Sequence, residues 1–81
     1  MAYVYIGRTF KTEDLSANKI YCEKPRELIE KFKMRGASLI EQLFVPAEEM
    51  ATAKEEVLRR GTARNEARKQ LEFIIAKGGK N

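Results

Sequence analysis

An α+β domain is expected of this chain, on three grounds. Ala2 to Ile6 (AYVYI) is aromatic and β-branched and is closed by Gly7, which is strand composition with a stop. Pro25 opens a segment in which Leu28, Ile29 and Phe32 recur at helical spacing before Gly36. From Ala47 to Lys77 nearly every residue except Gly61 is a good helix former. A chain of 81 residues leaves room for one domain, taken as residues 1–77, with 78–81 as a disordered tail. A chain this short buries only about 60% of its unfolded surface, so its core is thin.

The elements follow in order. The first strand, residues 2–6, is apolar in both alternating sets, which predicts cover on both faces. Residues 8–18 are polar and irregular, with one helical turn at Thr12-Glu13-Asp14-Leu15. Residues 19–23 (KIYCE) read as a second strand, with Ile20 and Cys22 on one face and Tyr21 on the other. The helix over 26–35 places Lys31, Lys33 and Arg35 in its C-terminal half, where they suit the macrodipole, and Gly36 is a C-cap.

Residues 37–45 (ASLIEQLFV) support two readings. As a strand they put Leu39, Leu43 and Val45 on one face, interrupted by Glu41, with Ile40 and Phe44 opposite. As a helix they group Leu39, Ile40, Leu43 and Phe44, with Ser38 and Glu41 as a capping box. Two strands alone are marginal in water. A third over 38–45 would complete a strand–helix–strand unit and bury the 26–35 helix, so the sheet is read as two- or three-stranded with the strand preferred. Pro46 then restarts a helix, with Glu48 and Glu49 in its favourable first turn. Unbroken over 47–77, that helix would be about 46 Å long. A compact chain of this length is about 30 Å across. The segment therefore hinges at Gly61-Thr62, read as C-cap then N-cap, or projects and pairs with another chain.

Composition excludes several functions. The apolar share is 43% and the charged share 35%, a globular composition with a well-solvated surface. Apolar runs are a handful of residues long, so no membrane span is expected, and no signal peptide is apparent. The single cysteine, Cys22, forms no internal disulfide, and a cytoplasmic protein with Cys22 as a small buried hydrophobe is expected. No histidine is present, so no common zinc or haem site and no serine-based acyl transfer can be assembled. No glycine-rich phosphate loop occurs, and Glu48/Glu49 and Glu55/Glu56 read as a solvated helix face. The expectation is a binding protein: no enzyme, no cofactor, no metal and no small-molecule substrate.

Charge points to the partner. Net charge is +4. Residues 59–81 hold seven basic side chains (Arg59, Arg60, Arg64, Arg68, Lys69, Lys77, Lys80) against Glu66 and Glu72, a net of +5 on a nearly neutral body. On an unbroken helix Arg60, Arg64 and Arg68 form a ridge within the apolar arc of Met50, Ala53, Val57, Leu71, Ile74 and Ile75. Three unpartnered arginines do not dock on an apolar core. With a break at Gly61, Ala63, Ala67, Leu71 and Ile74 turn inward, Arg64 and Arg68 lie along the stripe's edge, and Glu56 and Glu72 pair with Arg60 and Arg68.

The functional reading places Arg59, Arg60, Arg64, Arg68 and Lys69 on the phosphates of a nucleic acid, or on an acidic protein surface as a regulator or inhibitor. The run RRGTARNEARKQ resembles, in composition, a diluted arginine-rich RNA-binding peptide. A third reading is a homodimer through the C-terminal helix, pairing the antiparallel copy's glutamates with the arginines. Phe10, in a polar loop, and Phe73, off the apolar stripe, are candidate interface aromatics. Tyr3, Tyr5 and Tyr21 fall on the strands, as half-buried core or as a stacking platform.

Overall fold

The computed structural model describes residues 2–78. Three short strands form one sheet: β1 (Tyr3–Tyr5), β2 (Ile20–Tyr21) and β3 (Phe44–Pro46). β1 lies in the middle, antiparallel to both neighbours, with Tyr3 opposite Tyr21 on one side and Pro46 on the other. Helix α1 (Arg26–Met34) connects the two edge strands, so the strand–helix–strand unit exists with β1 inserted between its strands. Helices α2 (Met50–Leu58) and α3 (Ala63–Gly78) form a hairpin that packs on itself and on the segment before β3. Gly78 thus ends α3, and the remainder of the expected tail, 79–81, lies outside the described residues.

The core draws on β1, β3 and all three helices. Val4 and Tyr5 from β1, Ile29 and Phe32 from α1, and Phe44 and Val45 from β3 are buried together with Ala53, Val57, Ala67, Leu71 and Ile75 from the hairpin. β1 is covered on both faces, as its composition implies. Tyr5 is fully buried, and its hydroxyl donates to the Arg8 carbonyl at 2.7 Å. Burial, reinforced by the Glu72 charge, pushes the Tyr5 phenol well above its usual range, so it stays a donor. The ring lies under Gly7, where a Cβ would sit 2.5 Å from the Tyr5 oxygen. Two residues past the end of β1, the chain therefore needs a residue without a side chain.

Residues 38–45 are neither the full strand nor the α-helix. A 3₁₀ turn over Ile40–Leu43 precedes the strand Phe44–Pro46. Ile40 and Leu43 eclipse one another at the three-residue period and both are buried. The backbone then extends, and the Ile6 amide donates to the Leu43 carbonyl at 2.9 Å. Pro46 closes β3 instead of opening the helix. An edge strand tolerates its missing N–H, and the Ala47 amide continues to the Ala2 carbonyl at 2.9 Å. A 3₁₀ turn at Ala47–Glu49 leads into α2.

β2 also departs from expectation. It is two residues long, and Tyr21 faces inward, edge-on to Phe44 at 5.7 Å. Ile20 and Cys22 face out, so Cys22 is exposed and not a buried hydrophobe. Tyr5 also meets Phe44, at 5.3 Å. With Tyr5 buried and Tyr21 half-buried on Phe44, the sheet presents no row of stacked tyrosines to solvent.

Two ion-pair groups tie the loops to α1. Glu41, just inside the 3₁₀ turn, accepts from Lys24 at 2.8 Å and from Lys33. The Lys24 and Lys33 hydrogen bonds hold its carboxyl down at about 2. Arg35 donates to Glu13 at 2.6 Å. Because Glu41 is held below its unfolded value near 4.3, its contribution is complete above that value and is lost as pH falls toward 2. Glu41 is 41% exposed, so screening limits its two bonds to about 1 kcal/mol together. The stability gap between wild type and Glu41→Gln, measured by urea unfolding, is expected to be about that size at pH 7 and to vanish near pH 2. A gap that persists unchanged into acid would refute the assignment.

Candidate functional site

The expected hinge is present. α2 ends at Leu58, and Gly61 adopts φ +91°, a conformation that a side chain would strain. Thr62 then caps α3. Its Oγ1 accepts from the Asn65 amide at 3.1 Å and donates to the Glu56 carbonyl at 2.6 Å, so it joins the end of one helix to the start of the next. Asn65 is buried and donates from Nδ2 to the Val57 carbonyl at 2.8 Å. The chain therefore reverses within Arg59–Thr62, and the seam of Met50, Ala53 and Val57 packs inside the protein. That apolar seam is not left for a second copy.

The reversal turns α3 by about one position relative to expectation. Ala67, Leu71 and Ile75 are buried, Ile74 is half-buried and Ala63 is exposed. This decides the fate of the arginine row. Arg64 points inward and is 20% exposed. Its Nε donates to Glu56 at 2.7 Å and its Nη1 to the Gln42 carbonyl at 2.7 Å. The expected Arg60–Glu56 pair is replaced by Arg64–Glu56. Arg68 lies beside Glu72 at 3.9 Å, along the helix as expected. Gln70 completes the attachment, accepting from the Leu39 amide at 3.0 Å. Arg64 and Gln70 thus hold the hairpin and the 3₁₀ turn together.

Arg59 and Arg60 sit exposed on the reversal. Lys69 is exposed on the outer face of α3, followed one turn later by Phe73 and another turn later by Lys77. Phe73 is 66% exposed, and the Lys77 ammonium lies 5.8 Å from its ring centroid. Among the described residues, Arg59, Arg60, Lys69 and Lys77 have no carboxylate within ion-pair distance. Glu66 shares the outer face of α3 and reduces its field. Phe10 is half-buried against the core, with the Arg8 guanidinium 5.9 Å from its ring centroid.

Of the five cations singled out from sequence, three face outward and two are held by carboxylates. The sequence reading missed Lys77, although its four-residue spacing from Phe73, and of Phe73 from Lys69, was visible. Elsewhere, a groove of about 610 Å³ beside β2 is lined by Tyr21, Cys22, Lys24, Pro25 and Arg26 among others. Among the described residues no cluster of three metal-ligating side chains occurs. No helix of the described residues is long and apolar enough to cross a membrane. Comparison with protein-family models, curated proteins and solved structures finds no match.

Proposed function

We propose that this chain is a non-enzymatic regulatory or accessory protein whose α2–α3 hairpin binds nucleic-acid phosphates. The observation that carries the reading is the outward set of Arg59, Arg60, Lys69 and Lys77, exposed and without carboxylate partners among the described residues. Arg64 leaves the binding set because Glu56 and the Gln42 carbonyl already accept from it, and Arg68 leaves it because its half-buried guanidinium lies beside the Glu72 carboxylate at 3.9 Å. Exposed guanidinium and ammonium groups that neutralise phosphates release the nucleic acid's condensed counterions, which drives such binding.

An acidic protein surface is the second reading. It draws support from Leu58, which is 72% exposed immediately before Arg59 and offers an apolar anchor beside the cations. Salt response and ligand choice separate the two. Four phosphate contacts predict that affinity for labelled DNA or RNA falls about 50- to 150-fold between 50 and 200 mM salt, the smaller figure for single strands. Absence of binding to any nucleic acid at 50 mM salt would reject the phosphate reading and leave the acidic protein.

A further inference from the structure

We infer that the hairpin's ligand is a single strand, with Phe73 as the surface on which an unpaired base stacks between the Lys69 and Lys77 phosphate contacts. This rests on the phosphate-binding reading above and adds the class of nucleic acid. Seven aromatic side chains lie in the described chain, and Phe73 is the one among them left exposed. The other phenylalanines and the tyrosines are buried or half-buried. A solvated phenylalanine in the midst of a charged helix face has no role in packing.

Its neighbours specify what it fits. Lys69 and Lys77 stand one turn to either side, about 12 Å apart along the helix axis. That arrangement puts a cation on each flank of a flat apolar ring. A strand laid along the helix meets it with phosphates at both lysines and a base at the ring. Lys77 approaches the ring at 5.8 Å, which covers at most one of its two faces. A duplex keeps its base faces stacked on one another and presents none to Phe73. An unpaired strand presents every one, and stacking on an aromatic side chain tolerates any base. An acidic protein surface would satisfy the lysines, but it would bury the ring only at an apolar patch among its carboxylates, where a leucine serves as well and planarity is not required.

The test is a binding titration of the full chain with a labelled 20-nucleotide oligothymidylate and with a 20-base-pair duplex, in 50 mM salt, for wild type, Phe73→Leu and Phe73→Tyr. Circular dichroism confirms folding of each variant, and sedimentation velocity reports self-association. Wild type is expected to favour the single strand at least tenfold. Phe73→Leu, apolar but not planar, is expected to lose most of that preference, and Phe73→Tyr to keep it. Equal affinity for both ligands, with Phe73→Leu behaving as wild type, would overturn the stacking inference while leaving phosphate binding intact. Failure of wild type to bind either probe would overturn both readings. Self-association that Phe73→Leu abolishes would assign the ring to a second copy and overturn the inference.

Discussion

Arg64→Ala is expected to lower stability by roughly 1.5–3 kcal/mol, the range of hydrogen bonds made by charged groups. The substitution removes the donors to Glu56 and to the Gln42 carbonyl, both at 2.7 Å. It leaves the Glu56 carboxylate without its arginine and the Gln42 carbonyl without its side-chain donor. It also separates three parts of the chain at once, because Gln42 lies in the 3₁₀ turn before β3, Glu56 on α2 and Arg64 on α3. In a domain of this size the loss corresponds to a fall of about 10–20 °C in Tm. Arg64→Lys is expected to recover only part of it, since an ammonium cannot reproduce the guanidinium's two directed bonds. Thermal unfolding of the three proteins checks this. A change within about 0.5 kcal/mol for Arg64→Ala would mean that the side chain is free in solution.

The second large effect concerns binding. Replacing Arg59, Arg60, Lys69 and Lys77 together by alanine is expected to weaken nucleic-acid binding about 100-fold in 50 mM salt. Each exposed ion pair is worth about 0.7 kcal/mol, and four make about 3 kcal/mol. The same variant's affinity is expected to become nearly independent of salt, because the counterions those four contacts displaced stay bound. Its stability is expected to change little, as none of the four has an acceptor to lose among the described residues. A fluorescence anisotropy titration at two salt concentrations reads both quantities. Retention of the wild-type salt slope would place the phosphates elsewhere.

These two variants divide one row of arginines that looks uniform in sequence. On an unbroken helix Arg60, Arg64 and Arg68 share a ridge, and nothing local separates them. The break at Gly61-Thr62 was legible, because glycine at positive φ followed by a capping threonine is a local signal. Its consequence for Arg64 was not. The Gln42 carbonyl that receives Arg64 lies 22 residues away in sequence, and its position depends on the 3₁₀ turn before β3. That turn was itself hidden, since Leu39, Ile40, Leu43 and Phe44 satisfy strand and helix patterns about equally.

β2 shows the same limit at shorter range. Ile20, Tyr21 and Cys22 are all apolar enough to face a core, and two residues of pairing give no alternation to choose between them. The edge contact of Tyr21 with Phe44 makes that choice, and it comes from β3, on the far side of β1. By contrast, α1 was legible nearly to the residue. Pro25 precedes it, Gly36 follows it at φ +104°, and Ile29 and Phe32 are buried as their spacing requires. Phe73 and Lys69 were legible as surface candidates because they fall off the Leu71 stripe under either register of α3.

The most direct test of the divided row is a side-by-side titration of wild type, Arg64→Ala and the Arg59/Arg60/Lys69/Lys77 alanine variant. The ligand is a labelled single strand in 50 mM salt, at a temperature where all three are folded. Arg64→Ala is predicted to bind within about twofold of wild type, while the quadruple variant loses about 100-fold. Comparable losses in the two variants would contradict the account, because they would place Arg64 on the phosphates instead of on Glu56 and Gln42.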